Sequence, residues 1–106
     1  MYLFDWATPA MGGRFGSCHA LEIPFVFDNL HQPGASLFVG DTPPVELART
    51  MNATWAQFAR RGTPEGPLNP WPTYEPGPRS TMVLGSSPGV QEDPMGEERA
   101  LWEGVR

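Results

Sequence analysis

Apolar positions along the chain fall into a few short runs, separated by long stretches of glycine, proline and small polar residues. Tyr2-Leu3-Phe4-Asp5-Trp6 is aromatic-rich and extended in character, which predicts a strand over about residues 2–6. From Thr8 to Cys18 the chain carries Pro9, Gly12, Gly13 and Gly16, so a long irregular loop is expected. Loops of that length are commonly functional or disordered. His19-Ala-Leu-Glu-Ile23 suits one helical turn that Pro24 would stop, and Phe25-Val26-Phe27 is a short apolar run. Asp28 to Thr42 is turn-rich again.

The clearest periodic signal begins at Pro43 or Pro44 and predicts a helix over about 43–61, ended by Gly62. Leu47, Met51, Trp55, Phe58 and Ala59 recur at helical spacing and predict one apolar stripe. Thr42 is the expected N-cap, Glu46 suits the first turn, and Arg60 and Arg61 suit the last. Six prolines between Thr63 and Arg79 make that stretch an extended connection, pinned by Trp71 and Tyr74. Ser80-Thr-Met-Val-Leu84 predicts a second strand, ended by Gly85. The acidic stretch from Gln91 ends in an expected short helix over about 96–104, with Ala100, Leu101 and Trp102 facing inward. There are no internal repeats.

Composition narrows the function classes. The net charge is -5, and all seven basic residues are arginine, so the basic face that phosphate binding needs is lacking and nucleic acid is excluded as a partner. No window approaches the roughly 18 consecutive apolar residues of a membrane span. The first ten residues carry Asp5 and no basic side chain, unlike a signal peptide, and a cytoplasmic location is expected. Arginine without lysine, with abundant Pro and Gly, suits a GC-rich bacterial source. Gly and Pro make up close to a quarter of the 106 residues, near the level where disorder enters consideration. Four Trp, six Phe and two Tyr are too many aromatics for a disordered chain. Cys18 is the lone cysteine, and His19 and His31 have no metal-site spacing, so neither a disulfide nor a metal or other cofactor is expected.

Gly85-Ser86-Ser87-Pro88-Gly89 matches the G-x-S-x-G pattern of a nucleophile elbow. The residue after such a nucleophile must donate its backbone N–H to the oxyanion hole, and Pro88 has none. The segment also follows the histidines, the reverse of the elbow order, so it reads as a polar turn. Cys18 beside His19 offers a thiol next to a base, but adjacent side chains rarely point the same way and no third group orients the imidazole. Glu22 can meet His19 across one helical turn or brace the loop locally, and bracing is the preferred reading. His31 reads as a surface residue. Taken alone, His19 on a Gly-rich loop after a strand is as readily structural as catalytic.

Tyr2-Leu-Phe-Asp-Trp-Ala-Thr-Pro9, followed by Gly16-Ser-Cys-His19-Ala-Leu-Glu22-Ile-Pro-Phe25-Val-Phe27, resembles the C-terminal region of type-B carboxylesterases, the family of para-nitrobenzyl esterases and cholinesterases. The resemblance continues through Trp55-Ala-Gln-Phe58-Ala-Arg-Arg-Gly-Thr-Pro64, Trp71-Pro72-x-Tyr74 and Leu101-Trp102, nearly the whole chain. It implies an α/β class, part of an α/β-hydrolase fold whose triad is serine, glutamate or aspartate, and histidine. His19 matches the family's catalytic histidine, a general base and then a general acid. Glu22 matches a glutamate that follows that histidine, and Phe15 and Leu21 are candidates to line the substrate pocket. In the family the serine, the oxyanion-hole glycines and the acid lie upstream of the matched stretch.

Residues 1–106 are therefore expected to form a single segment, the C-terminal part of a carboxylester hydrolase domain. It supplies His19 to a site completed elsewhere and is inactive alone. The expected partners are the remainder of that domain, or a second copy, and a small carboxylic ester in the complete enzyme. A non-catalytic homodimeric module that reuses the same architecture is the alternative. A stand-alone hydrolase using Cys18 or Ser87 is a third, weaker reading.

Overall fold

Strand β1, Tyr2–Phe4, lies parallel to β2, Ser80–Leu84, in a computed structural model that describes residues 1–105. Tyr2 pairs with Met82, Leu3 with Val83 and Phe4 with Leu84. Strand β3, Gly89–Glu92, returns antiparallel to β2 and completes a sheet of order β1-β2-β3. Gly85 to Pro88 forms the hairpin turn, as the polar-turn reading of that segment expects. The third strand is absent from the sequence expectation. Val90, Gln91 and Glu92 are all exposed, so no buried face marks β3 as a strand, and its pairing to β2 supplies the order.

Four helices fill the connections: α1 (Ile23–Val26), α2 (Ser36–Val39), α3 (Val45–Arg61) and α4 (Gly96–Ala100). Pro24 opens α1 rather than stopping a helix, because the first turn needs no N–H from that position. The expected turn over His19 to Ile23 thus moves downstream, and Phe25 goes into the core while Phe27 stays 67% exposed.

Helix α3 matches its expected span except at the start. Pro44 is the N-cap residue, with a non-helical ψ of 89° and no side-chain cap. Because a residue before proline is pushed out of the helical region, Pro43 cannot belong to the helix. Thr42 is left outside capping reach. At the other end Gly62 adopts the left-handed φ of 74° and its N–H bonds the Phe58 carbonyl at 2.8 Å. Leu47, Ala48, Met51 and Thr54 are the buried face, and Trp55 packs at its margin. Phe58 is 54% exposed and Ala59 is exposed, so the last turn of the expected stripe overhangs the core.

Trp6, Leu21, Phe25, Leu30, Val39, Leu47, Ala48, Met51, Leu68, Met82 and Leu84 form one core cluster. Met82 and Leu84 alternate with Thr81 and Val83, which are buried too, so β2 is covered on both faces. Phe25 lies against Phe4 and Trp6, with ring centroids 5.2 and 5.0 Å apart. Trp71 fastens the proline-rich connection, its Nε1–H donating to the Met1 carbonyl at 3.1 Å and its ring packing on Trp55.

The end of the chain is held by charge rather than by the expected apolar contacts. Leu101 and Trp102 are 78% and 73% exposed, and past Ala100 the backbone continues in i→i+3 turns. Arg99 donates through Nε and Nη2 to both oxygens of Asp93, at 3.1 and 2.8 Å. That hydrogen-bonded pair holds the Asp93 carboxyl below its ordinary value of 3.8, with Arg79 adding attraction. The folded value is the lower one, so the stabilisation is fully present above the ordinary value and is lost as pH falls below it, through the folded value. Acidification below about pH 4 is expected to loosen α4, read as lower amide protection factors at Gly96 and Arg99 relative to their intrinsic exchange rates, and Asp93→Asn should remove that acid dependence.

Candidate active-site histidine

The loop after β1 is closed at its base by Thr8. Its N–H donates to the Gly16 carbonyl at 3.1 Å, and its hydroxyl accepts from the Ala10 N–H at 3.1 Å and donates to the Phe38 carbonyl. Thr8 is 1% exposed, so these bonds lie out of water. Beside it the Pro9 ring leans on Gly40, where an added Cβ would come within 2.9 Å of Pro9 Cγ. Gly40 has φ 74° and ψ -175°, a region essentially reserved for glycine, so α2 can turn away and let the loop base pass. Replacing Thr8 by valine keeps the shape but leaves the Phe38 carbonyl and the Ala10 N–H without the hydroxyl. A loss of about 1–3 kcal/mol is expected in denaturant unfolding.

Past this base, Cys18 to Leu21 forms a tight turn in which the Leu21 N–H bonds the Cys18 carbonyl at 3.2 Å. His19 occupies the first central position and Ala20 the second, with φ at 65°. Positive φ at the second central position belongs to a type II turn and usually calls for glycine. A strained alanine there is a local cost that the surroundings must hold in place. They do so from both sides: Leu21 is 1% exposed in the core and Cys18 is half-buried against it. His19 itself is exposed, an imidazole at the tip of an anchored turn.

The other sequence candidates separate around it. Phe15 is 47% exposed on the same loop, whereas the Leu21 side chain points into the core. Glu22 immediately precedes α1 without a side-chain cap, its carbonyl accepting from the N–H groups of Phe25 and Val26. Among the described residues the His19 imidazole takes no side-chain hydrogen bond. Cys18 is a free thiol, and His31 is exposed on the following turn-rich stretch. Ser87 lies in the β2–β3 turn beside an open polar cavity of about 430 Å³ whose lining includes Asp5, Ser86 and Gln91 but no histidine.

Three supporting residues escape the sequence reading. Thr8 and Gly40 build the loop base, and Asn52 on α3 donates through Nδ2 to the Val26 carbonyl at 2.8 Å, tying α1 to the long helix. Only the polar Asn52, one helical turn from Ala48 and Trp55, hinted at such a tie. Among the described residues no three His, Cys, Asp or Glu side chains converge to hold a metal ion. None of their helices is long and apolar enough to cross a membrane.

The model of the carboxylesterase family matches residues 1–102. The para-nitrobenzyl esterase of Bacillus subtilis is 36% identical over 102 residues, 93% of this chain and 20% of that protein. The phenmedipham hydrolase of Pseudarthrobacter oxydans is 34% identical over 88 residues, 79% of this chain and 18% of that protein. A solved carboxylesterase from Geobacillus stearothermophilus superposes with a TM-score of 0.76 at 46% identity, covering 96% of this chain and 21% of its own. A solved PNB esterase gives a TM-score of 0.80 at 33% identity, covering 94% and 21%. This chain spans about a fifth of the length of the relatives it matches. With that match running from the first strand to α4, the chain belongs to the carboxylesterase family.

Proposed function

We propose that this chain supplies the catalytic histidine, His19, of a serine hydrolase acting on small carboxylic esters. The observation that carries the proposal is the exposed His19 at the tip of a strained, anchored turn, on the loop leaving the carboxyl end of parallel strand β1. Ligands of α/β sheets gather outside the carboxyl ends of their strands. An imidazole carried there by an anchored turn can take the proton of an attacking serine hydroxyl and then protonate the departing alkoxide.

The nucleophile, the oxyanion hole and the acid that orients the imidazole come from the complementary segment of the fold, and the chain alone does not turn over esters. The exposed Phe15 contributes to the pocket wall, and Leu21 contributes by anchoring the turn. A single polypeptide in which this chain replaces the matched stretch of the Bacillus subtilis para-nitrobenzyl esterase tests the reading. Hydrolysis of a short p-nitrophenyl ester that depends on His19 supports it. Equal hydrolysis by the His19→Ala form overturns it.

A further inference from the structure

The stretch that carries His19 is held at few points. Between Thr8 and Leu21 only Ala10 is buried, and Gly12, Gly13 and Gly16 give the backbone little stiffness of its own. Its backbone hydrogen bonds are local: the Gly13 N–H meets the Pro9 carbonyl at 3.2 Å, and the Gly16 N–H meets the Gly13 carbonyl at 3.3 Å. Among the described residues a single hydrogen bond ties residues 8–19 to a distant element, the one that the Thr8 hydroxyl donates to the Phe38 carbonyl in α2.

Thr8 is the junction of three segments. Its N–H holds the Gly16 carbonyl at 3.1 Å, which brings the returning limb of the loop back beside the exit of β1. Its hydroxyl accepts from the Ala10 N–H while donating to α2, so the side chain is fixed on both sides and sealed from water. From Gly16 to His19 is three residues, a reach of at most about 11 Å. Thr8 is thus the last buried, hydrogen-bonded anchor before the imidazole, as Leu21 in the core is the first apolar one after it. Slack at the loop base passes straight to the imidazole, and about 1 Å of misplacement in a catalytic group can cost on the order of 10²-fold in rate.

We infer that Thr8 is a positioning residue for His19: the hydroxyl seated between the Ala10 N–H and the Phe38 carbonyl sets where the loop delivers the general base. This rests on the reading of His19 as that base, and the test keeps the two apart. In the single-polypeptide esterase, Thr8→Val keeps the shape of the side chain and removes both hydrogen bonds, whereas Thr8→Ser keeps both and removes a methyl. Thr54→Val is the matched control, since Thr54 is also buried, on α3 outside the His19 loop, with its hydroxyl on the Thr50 carbonyl at 2.8 Å. Hydrolysis of a short p-nitrophenyl ester by each form is to be followed well below the lowest Tm of the set, with every form folded.

Thr8→Val should lower kcat by on the order of tenfold with KM within about twofold, and Thr8→Ser and Thr54→Val should each keep kcat within about twofold. Unchanged kcat in Thr8→Val, an equal loss in Thr8→Ser or Thr54→Val, or a loss confined to KM would each overturn the inference and leave Thr8 a stabilising residue only. Should Thr8→Val fail to fold, Thr8→Cys takes its place: its S–H is a weak donor of similar size, and kcat below that of Thr8→Ser is expected, with equality counting against the inference. The His19→Ala form separates the two readings. Activity lost in His19→Ala but kept in Thr8→Val leaves the histidine assignment standing and removes only the role of Thr8. Activity kept in His19→Ala removes both.

Discussion

Replacing His19 by alanine in the single-polypeptide esterase is expected to lower kcat for a short p-nitrophenyl ester by on the order of 10²–10⁴-fold, with KM little changed. The loss falls on kcat because the imidazole moves a proton in the transition state and contributes little to holding the ester in the ground state. His19 is exposed and carries no packing, so folding should be unaffected, and wild-type and variant forms should share one Tm. A drop in Tm with the activity would indicate a structural imidazole. Ala20 offers a second reading of the same turn. Ala20→Gly removes the strain at φ 65° without touching His19, and the change separates turn geometry from chemistry.

Phe25→Ala carries the largest expected cost in stability, about 3–5 kcal/mol in denaturant unfolding of the chain. Phe25 is fully buried where α1 meets β1, and its ring contacts Phe4 and Trp6. Removing it opens a cavity between the strand and the helix that start and end the His19 loop. Edge and tilted ring contacts add about 0.5–1.5 kcal/mol each beyond area burial, which puts the expectation in the upper part of the range. Phe27→Ala is the matched control: two residues away, 67% exposed, and expected to change stability by no more than about 0.5 kcal/mol. Similar losses for the two variants would contradict the packing described for α1.

Legibility in the sequence followed physical cause. Helix α3 was readable because Leu47, Met51 and Trp55 repeat at its period and Gly62 must take a left-handed φ. Strand β2 was readable as five residues of high strand propensity before Gly85, and β1 as an aromatic run, shorter by two residues than expected. Strand β3 was hidden because its side chains face water, so its pairing, not its pattern, defines it. Leu101 and Trp102 misled because apolar character argues for burial only when a neighbour is present to bury against. Thr42 misled because two consecutive prolines displace the helix start. The His19 loop was not legible from periodicity: Thr8 and Gly40 close its base and Asn52 ties down the helix that follows it, from three distant places in the chain, and resemblance to the esterases was the only signal that singled out the imidazole.

The decisive measurement is the reactivity of the partner serine. The complementary segment of the Bacillus subtilis esterase is to be treated with a serine-directed fluorophosphonate alone, with this chain, and with its His19→Ala form. Rapid labelling only in the presence of the wild-type chain is the predicted result, because the serine gains its general base from His19. Labelling at the same rate without the chain, or with the His19→Ala form, would contradict the assignment.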